Sequence, residues 1–243
     1  MGVVFSGGFK SLTSTKVKTI SNTTTISTDA IAHFRGEDAT TTSWADSKGN
    51  APTLTTAGSG NNITIENFRN GLSAPRFRAD KYLTENSNFF SLNELTCIVV
   101  YKPIFTSTWN FIVGKDNYSW GSGWGIELRN NNVGGFFADN GPDSRSSTNT
   151  NTEFVTGLAA SVSDGTYTTW SVGLTDSTAS VTTRNGIQNK AYNADPYPFQ
   201  IGGVNTSNWR FNGQVSDVII WDRRLDRSEF DTQFVALKNK YGT

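Results

Sequence analysis

Breaking a glycosidic bond with retention takes two carboxylates about 5 Å apart, so paired acids are where chemistry would first show. The acids closest together in sequence are Glu37-Asp38 and Glu229 with Asp231. Side chains of adjacent residues on an extended stretch point to opposite faces, so the first pair diverges. The second pair lies in a helical pattern, where Glu229 reads as a cap and Asp231 as solvated surface. His33, the sole histidine, stands in "AIAHF" without acid or base partners and reads as structural. One histidine and one cysteine cannot make a zinc cluster. No G-x-S-x-G elbow and no Walker loop occurs, and "GSGWG" is followed by no helix that could hold a phosphate. The expectation is a chain without enzymatic activity, with a catalytic pair assembled from distant strands left open.

Binding chemistry is better represented. In "GKDNYSWGSGWGIELRN", Trp124, Ile126 and Leu128 alternate on one strand face and are expected in the core. Tyr118 and Trp120 precede that strand in a polar stretch with Lys115, Asp116 and Asn117. Trp109 in "TSTWN" and Trp209 in "NTSNWRF" have similar polar, loop-like surroundings. A flat ring can stack on the C–H face of a sugar while amide and carboxylate groups hold its hydroxyls. Tyr118, Trp120, Trp109, Trp209 and Asn117 are therefore candidate ligand-binding residues. Three roles stand open for the rings: glycan contact, subunit interface and plain packing.

The elements that must position these residues are short apolar or alternating runs separated by turn residues. "AIAHF", "NITIENF", "LTCIVVYKP", "NFIVG", "WGIELRN", "VGGFFAD", "TTWSVGL", "ASVTTRNG", "FQIGG" and "QVSDVIIWD" suit strands. "SKGN", "KDN", "NNN" and "DNGPD" suit the turns between them, and Asn185-Gly186 signals a hairpin. One helix closes the chain. In "LDRSEFDTQFVALKNKYG", Asp226 and Glu229 form a capping-box pattern, and Gly242 suits the C-terminal end. Phe230, Phe234, Leu237 and Tyr241 fall on one helical face. Trp124, Trp170 and Trp221 all lie in expected strands.

With 243 residues, 35% apolar and 17% charged, the chain can bury a single large core. Twenty-one basic residues balance 21 acidic ones, so no field exists to hold a polyanion, and nucleic-acid binding is not expected. Cys97, the only cysteine, reads as a buried thiol, and folding in a reducing compartment is expected. The start shows no signal-peptide h-region and no window suits a membrane span, so no membrane insertion is expected. Residues 1–28 are rich in Ser, Thr, Lys and Asn, poor in large apolar groups, and read as a polar N-terminal arm before a domain at 29–243.

Taken in order, several segments resemble a laminin-G-like, concanavalin A-like jelly roll of the type found in bacterial and phage surface proteins. "IAHFRGEDATTTSWADSKGNAPTLT" resembles that family's opening strand and turn, and "LNELTCIVVYKP" its next long strand. "FIVGKDNYSWGSGWGIELRNNNVGGFFAD" and "TTWSVGLTDSTASVTTRNGIQ" resemble its central segments, and "FQIGGVNTSNWRFNGQVSDVIIWDRRLDRSEFDTQF" its closing signature. The resemblance implies an all-β, antiparallel two-sheet jelly-roll sandwich with one short C-terminal helix. It also implies one structural Ca2+, for which Asp116, Asp139 and Asp143 are the candidate ligands and "WADSKGN" (Asp46, Asn50) a further oxygen-rich turn. Asp and Asn equally serve turns, which is the competing reading. An adhesion-type fold without a leader leads to the expectation of a virion surface protein, a capsid decoration or receptor-binding part of a phage. Such a protein would attach to other virion proteins through residues 1–28, form a homo-oligomer such as a trimer, and bind host glycans. The alternative is a carbohydrate-binding module of a secreted bacterial polysaccharide-degrading enzyme.

Overall fold

A computed structural model of the chain describes residues 25–26, 28–58, 63–78, 81–105, 110–116, 123–129, 132–137, 144–147, 152–163, 165–176, 180–185, 197–204 and 209–243. The polar arm therefore lies almost wholly outside the described residues. Strands β1 (Ala32–Arg35), β2 (Ser43–Trp44), β3 (Leu54–Ala57), β4 (Thr64–Arg69), β5 (Leu72–Arg78) and β6 (Tyr82–Glu85) come first. The long β7 (Glu94–Phe105) follows, then β8 (Asn110–Lys115), β9 (Trp124–Arg129), β10 (Asn132–Phe137) and β11 (Ser144–Ser147). The last strands are β12 (Phe154–Ser161), β13 (Thr166–Gly173), β14 (Ser180–Asn185), β15 (Phe199–Ile201) and β16 (Asn212–Trp221), and helix α1 (Arg227–Tyr241) closes the chain.

These strands form two antiparallel sheets. The first runs β14-β13-β12-β7-β16-β5-β4, with β1 also paired to β16, and the second runs β11-β10-β9-β8-β15-β6-β3-β2. Strand β16 serves β5 through Asn212–Gln214 and β1 through Asp217–Ile220, so two partners share one of its edges end to end. Gly36 sits where they meet: a Cβ there would lie 2.5 Å from the Ser73 carbonyl oxygen and 2.9 Å from that of Ser216.

Alternation along β7 explains its unbroken apolar run. Cys97, Val99 and Tyr101 enter the core between the sheets, which also holds Trp124, Ile126 and Leu128 of β9. Ile98 and Val100 point the other way, into a second cluster that the helix covers. A strand buried on both faces needs no polar alternation. Each tryptophan buried here contributes roughly 4–6 kcal/mol by apolar area.

The helix begins as its sequence pattern dictates. Glu229 N–H donates to Asp226 Oδ1 at 2.8 Å, and Asp226 N–H donates back to Glu229 Oε2 at 2.8 Å. It ends at Gly242, whose φ of 66° is left-handed. Its inner face carries Phe230, Phe234, Leu237 and Tyr241. The Phe230 ring stacks on Trp170 with centroids 4.9 Å apart. Room for it comes from Gly157 of β12, where a Cβ would stand 2.7 Å from the Phe230 ring.

A buried polar cluster latches the helix's last turn. Asp217 on β16 is fully buried and accepts from His33 Nε2 at 2.7 Å, from Lys240 Nζ at 2.9 and 3.0 Å, and from the Tyr241 hydroxyl. Burial pushes its carboxyl up, but the His33 hydrogen bond, the Lys240 charge and the Tyr241 hydroxyl together hold it below the usual carboxylate range. Lys240 also reaches Glu37 at 3.1 Å, and the Tyr241 hydroxyl lies 2.6 Å from Ser216 Oγ. His33 is thus a structural residue.

Candidate functional site

Strand β8 lies at the middle of the second sheet, between β9 and β15. Trp109 immediately precedes it, and Asn117, Tyr118 and Trp120 follow within five residues of its end, so the segments bearing these four residues adjoin opposite ends of one strand. Those four residues lie outside the described residues, as do Asp139 and Asp143. Asp116 is described, and it is buried just past the strand, beside the fully buried Lys115. The Lys115 ammonium donates to the Ser87 carbonyl oxygen at 2.7 Å. Among the described residues no group of three or more His, Cys, Asp or Glu side chains is placed to hold a metal ion. Asp46, in the other oxygen-rich turn, spends its carboxylate on the backbone. It accepts from the N–H groups of His33 at 2.7 Å, Lys48 at 3.1 Å, Asn50 at 2.9 Å and Ala51 at 3.0 Å. That is the work of an Asx-type turn, drawing β1 and the 46–51 loop together.

A bulge at Phe111–Val113 changes which side chains β8 presents. Ile112 and Val113 both enter the core between the sheets, while Phe111 lies on the outer face of the second sheet. There it packs with Phe136, Val204 and Trp209. The Phe111 and Phe136 centroids are 6.3 Å apart. Gly125 makes this possible, since a Cβ there would stand 2.9 Å from each of the two rings. Trp209 differs from its sequence surroundings, which suggested an exposed loop ring: it is 6% exposed. The cause is the outer apolar cluster, together with the Phe111 N–H bond to the Trp209 carbonyl oxygen at 3.3 Å.

Across the same face, strand register places Thr84, Gln200, Gly114, Gly125 and Phe136 in one row over five strands. Gln200 stands between Phe199 and Ile201, both of which enter the core, so its side chain points outward. It is 1% exposed, and its Oε1 has no hydrogen-bond partner. Thr84 donates to the Phe199 carbonyl oxygen at 3.1 Å. Tyr82 stands two residues along from Thr84, and the Arg210 guanidinium lies 6.0 Å from its ring centroid. Glu127 of β9 and Asp116, just past β8, are well separated: Lys115, the neighbour of Asp116, pairs with Trp124, three residues along β9 from Glu127. At about 3.3 Å per residue a four-residue offset separates them by roughly 13 Å, beyond the spacing of a glycosidase pair. Sequence reading gives Gln200 no special place, because "FQIGG" shows only ordinary alternation; its neighbours come from register alone.

No family model matches this sequence, and no curated protein matches it. Its structure is nevertheless similar to several solved ones. Domain 4 of a GH43 extracellular arabinanase from Geobacillus stearothermophilus, solved with arabinotriose, aligns with a TM-score of 0.63 and 15% identity over 86% of this chain and 98% of that domain. Trypanosoma rangeli sialidase in complex with sialic acid aligns with a TM-score of 0.61 and 14% identity over 87% of this chain and 33% of that one. A GH54 α-L-arabinofuranosidase aligns with a TM-score of 0.66 and 11% identity over 87% and 59%. This chain therefore spans about a third of the sialidase and three-fifths of the arabinofuranosidase. At these identities the likeness carries the fold, a two-sheet antiparallel sandwich, and no family-level match extends it to laminin G. It also corrects the expectation of a chain without enzymatic activity. Glycosidase chains contain this sandwich, so the lack of a paired-carboxylate or nucleophile motif in the sequence gives no ground for setting catalysis aside.

Proposed function

We propose that this chain is a carbohydrate-binding domain, a module of a polysaccharide-degrading protein. The observation that carries the reading is the likeness, over 86% of this chain, to nearly the whole of domain 4 of the arabinanase, a domain solved with arabinotriose. In the sialidase the same likeness occupies a third of a longer chain. None of the likenesses reported is to a virion protein, and nothing in the fold favours the surface-decoration reading.

The outer face of the second sheet is the surface this reading uses. Trp109, Tyr118, Asn117 and Trp120 are its proposed contacts, because their segments join both ends of β8, the strand that floors that face. Rings would stack on sugar C–H faces while Asn117 and the row through Gln200 hold hydroxyls.

Affinity gel electrophoresis against arabinan, xylan, β-glucan and pectin tests the proposal. Retardation by at least one of these is expected, and Trp120→Ala is expected to abolish it with the melting temperature nearly unchanged. Unretarded migration in every gel overturns the reading. Reducing ends released in the same incubations would assign cleavage to this chain as well.

A further inference from the structure

The outer face of the second sheet contains a polar group that the fold itself leaves unused. Gln200 sits in the middle strand of a three-strand junction, with Thr84 of β6 on one side and Gly114 of β8 on the other. Gly114 offers no side chain that could satisfy an amide. Thr84 has already given its hydroxyl proton to the Phe199 carbonyl oxygen. Gln200 Oε1 is buried with no partner, and buried polar atoms in folded proteins are otherwise almost always paired. A position that must merely fill space between two core residues is served better by an apolar or fully exposed side chain.

The surroundings indicate what the amide meets. On one side stands the apolar wall of Phe111, Phe136 and Trp209. On the other stand half-buried Thr84 and Arg210, with Arg210 lying over the Tyr82 ring. The geometry points to a saccharide subsite at the β6–β15–β8 junction, floored by Gln200, that takes a neutral sugar unit through a pair of neighbouring hydroxyls. This rests on the carbohydrate-binding reading above. A hydroxyl can donate to the amide oxygen and accept from the amide nitrogen, so two adjacent hydroxyls match both ends of the side chain. A carboxylate only accepts and leaves the oxygen unpaired, which excludes the acidic group of a uronate or sialate from this position. Gln200 is thereby a specificity-determining residue.

The test is calorimetric titration of the full chain with neutral arabino-, xylo- and gluco-oligosaccharides and with acidic oligogalacturonate and sialyllactose, for wild type, Gln200→Leu and Gln200→Glu. Thr232→Ala, on the far side of the molecule, is the control. Wild type is expected to bind a neutral oligosaccharide, and Gln200→Leu to lose at least tenfold in affinity. Its melting temperature is expected to stay level or rise, because an apolar group of similar size removes an unpaired buried atom. A merely structural glutamine would show the reverse pattern. In a parallel experiment on wild type alone, the Gln200 side-chain amide resonances are expected to shift on saturation with the bound oligosaccharide. Unmoved resonances, or Gln200→Leu binding within twofold of wild type, overturn the subsite and leave the carbohydrate-binding reading intact. Binding confined to the acidic oligosaccharides overturns the neutral specificity. No binding by wild type to any saccharide overturns the carbohydrate-binding reading itself.

Discussion

Replacing Asp217 by Asn tests whether the C-terminal helix is latched by charge. The carboxylate is fully buried and accepts from His33, from Lys240 through both oxygens, and from Tyr241. Removing one partner of a buried ion pair costs roughly 3–5 kcal/mol, because the other charge stays behind. Here the lower figure, about 3 kcal/mol, applies, since Lys240 keeps Glu37 at 3.1 Å and its side chain is 18% exposed. For a chain of this size that lowers the melting temperature by roughly 6–12 °C. Urea denaturation followed by tryptophan fluorescence measures it at pH 7, and a series down to pH 3 gives the sign. The folded-state carboxyl of Asp217 is held below its ordinary value, so its contribution is complete above about pH 4 and fades as pH falls through the folded-state value. The gap between wild type and variant should therefore be constant from pH 7 to about 5 and shrink below about 4. A gap under about 1 kcal/mol at pH 7, the worth of an ordinary surface pair, would refute the latch, as would a gap that widens in acid.

Other perturbations probe the packing around it. Gly157→Ala drives a methyl group into the Phe230 ring and should cost about 1–3 kcal/mol, with part recovered in the double variant carrying Phe230→Leu; urea midpoints decide, and an unchanged midpoint contradicts the contact. Burial pushes the Cys97 thiol far above its ordinary value, so a disulfide reagent should leave it unlabelled in native buffer and label it fully in urea. Asp46→Ala removes four backbone hydrogen bonds and should speed hydrogen exchange at Lys48, Asn50 and Ala51 at least tenfold; unchanged exchange at those amides would mean the loop is held elsewhere.

Some of this was visible in the chain alone. Capping at Asp226 and Glu229, the apolar face from Phe230 to Tyr241 and the left-handed Gly242 all depend on neighbours within four residues. So does the inward face of Trp124, Ile126 and Leu128. Other elements escaped the same reading. Strand β12 carries Gly157 and small side chains that weaken its strand signal, because the helix packs against it there. Strand β5 contains Pro75, tolerated one residue beyond the last β16 partner. The Asn70-Gly71 turn joining β4 and β5, with φ of 50° and 75°, was the hairpin signal to notice. Of the hairpin signalled at Asn185-Gly186, the first arm is β14, paired to β13, and the remainder lies outside the described residues.

The sequence by itself determined a β-rich chain, its capped final helix and the strand positions of Trp124, Trp170 and Trp221, though not of Trp44 in β2, because periodicity and capping are short-range properties. Tertiary structure alone decided that His33, Asp217 and Lys240 meet, since 184 residues separate the first two. It alone buried Trp209 in the outer apolar cluster and set Gln200 beside a glycine. Register between strands distant in sequence chooses such neighbours, and local pattern carries no record of it.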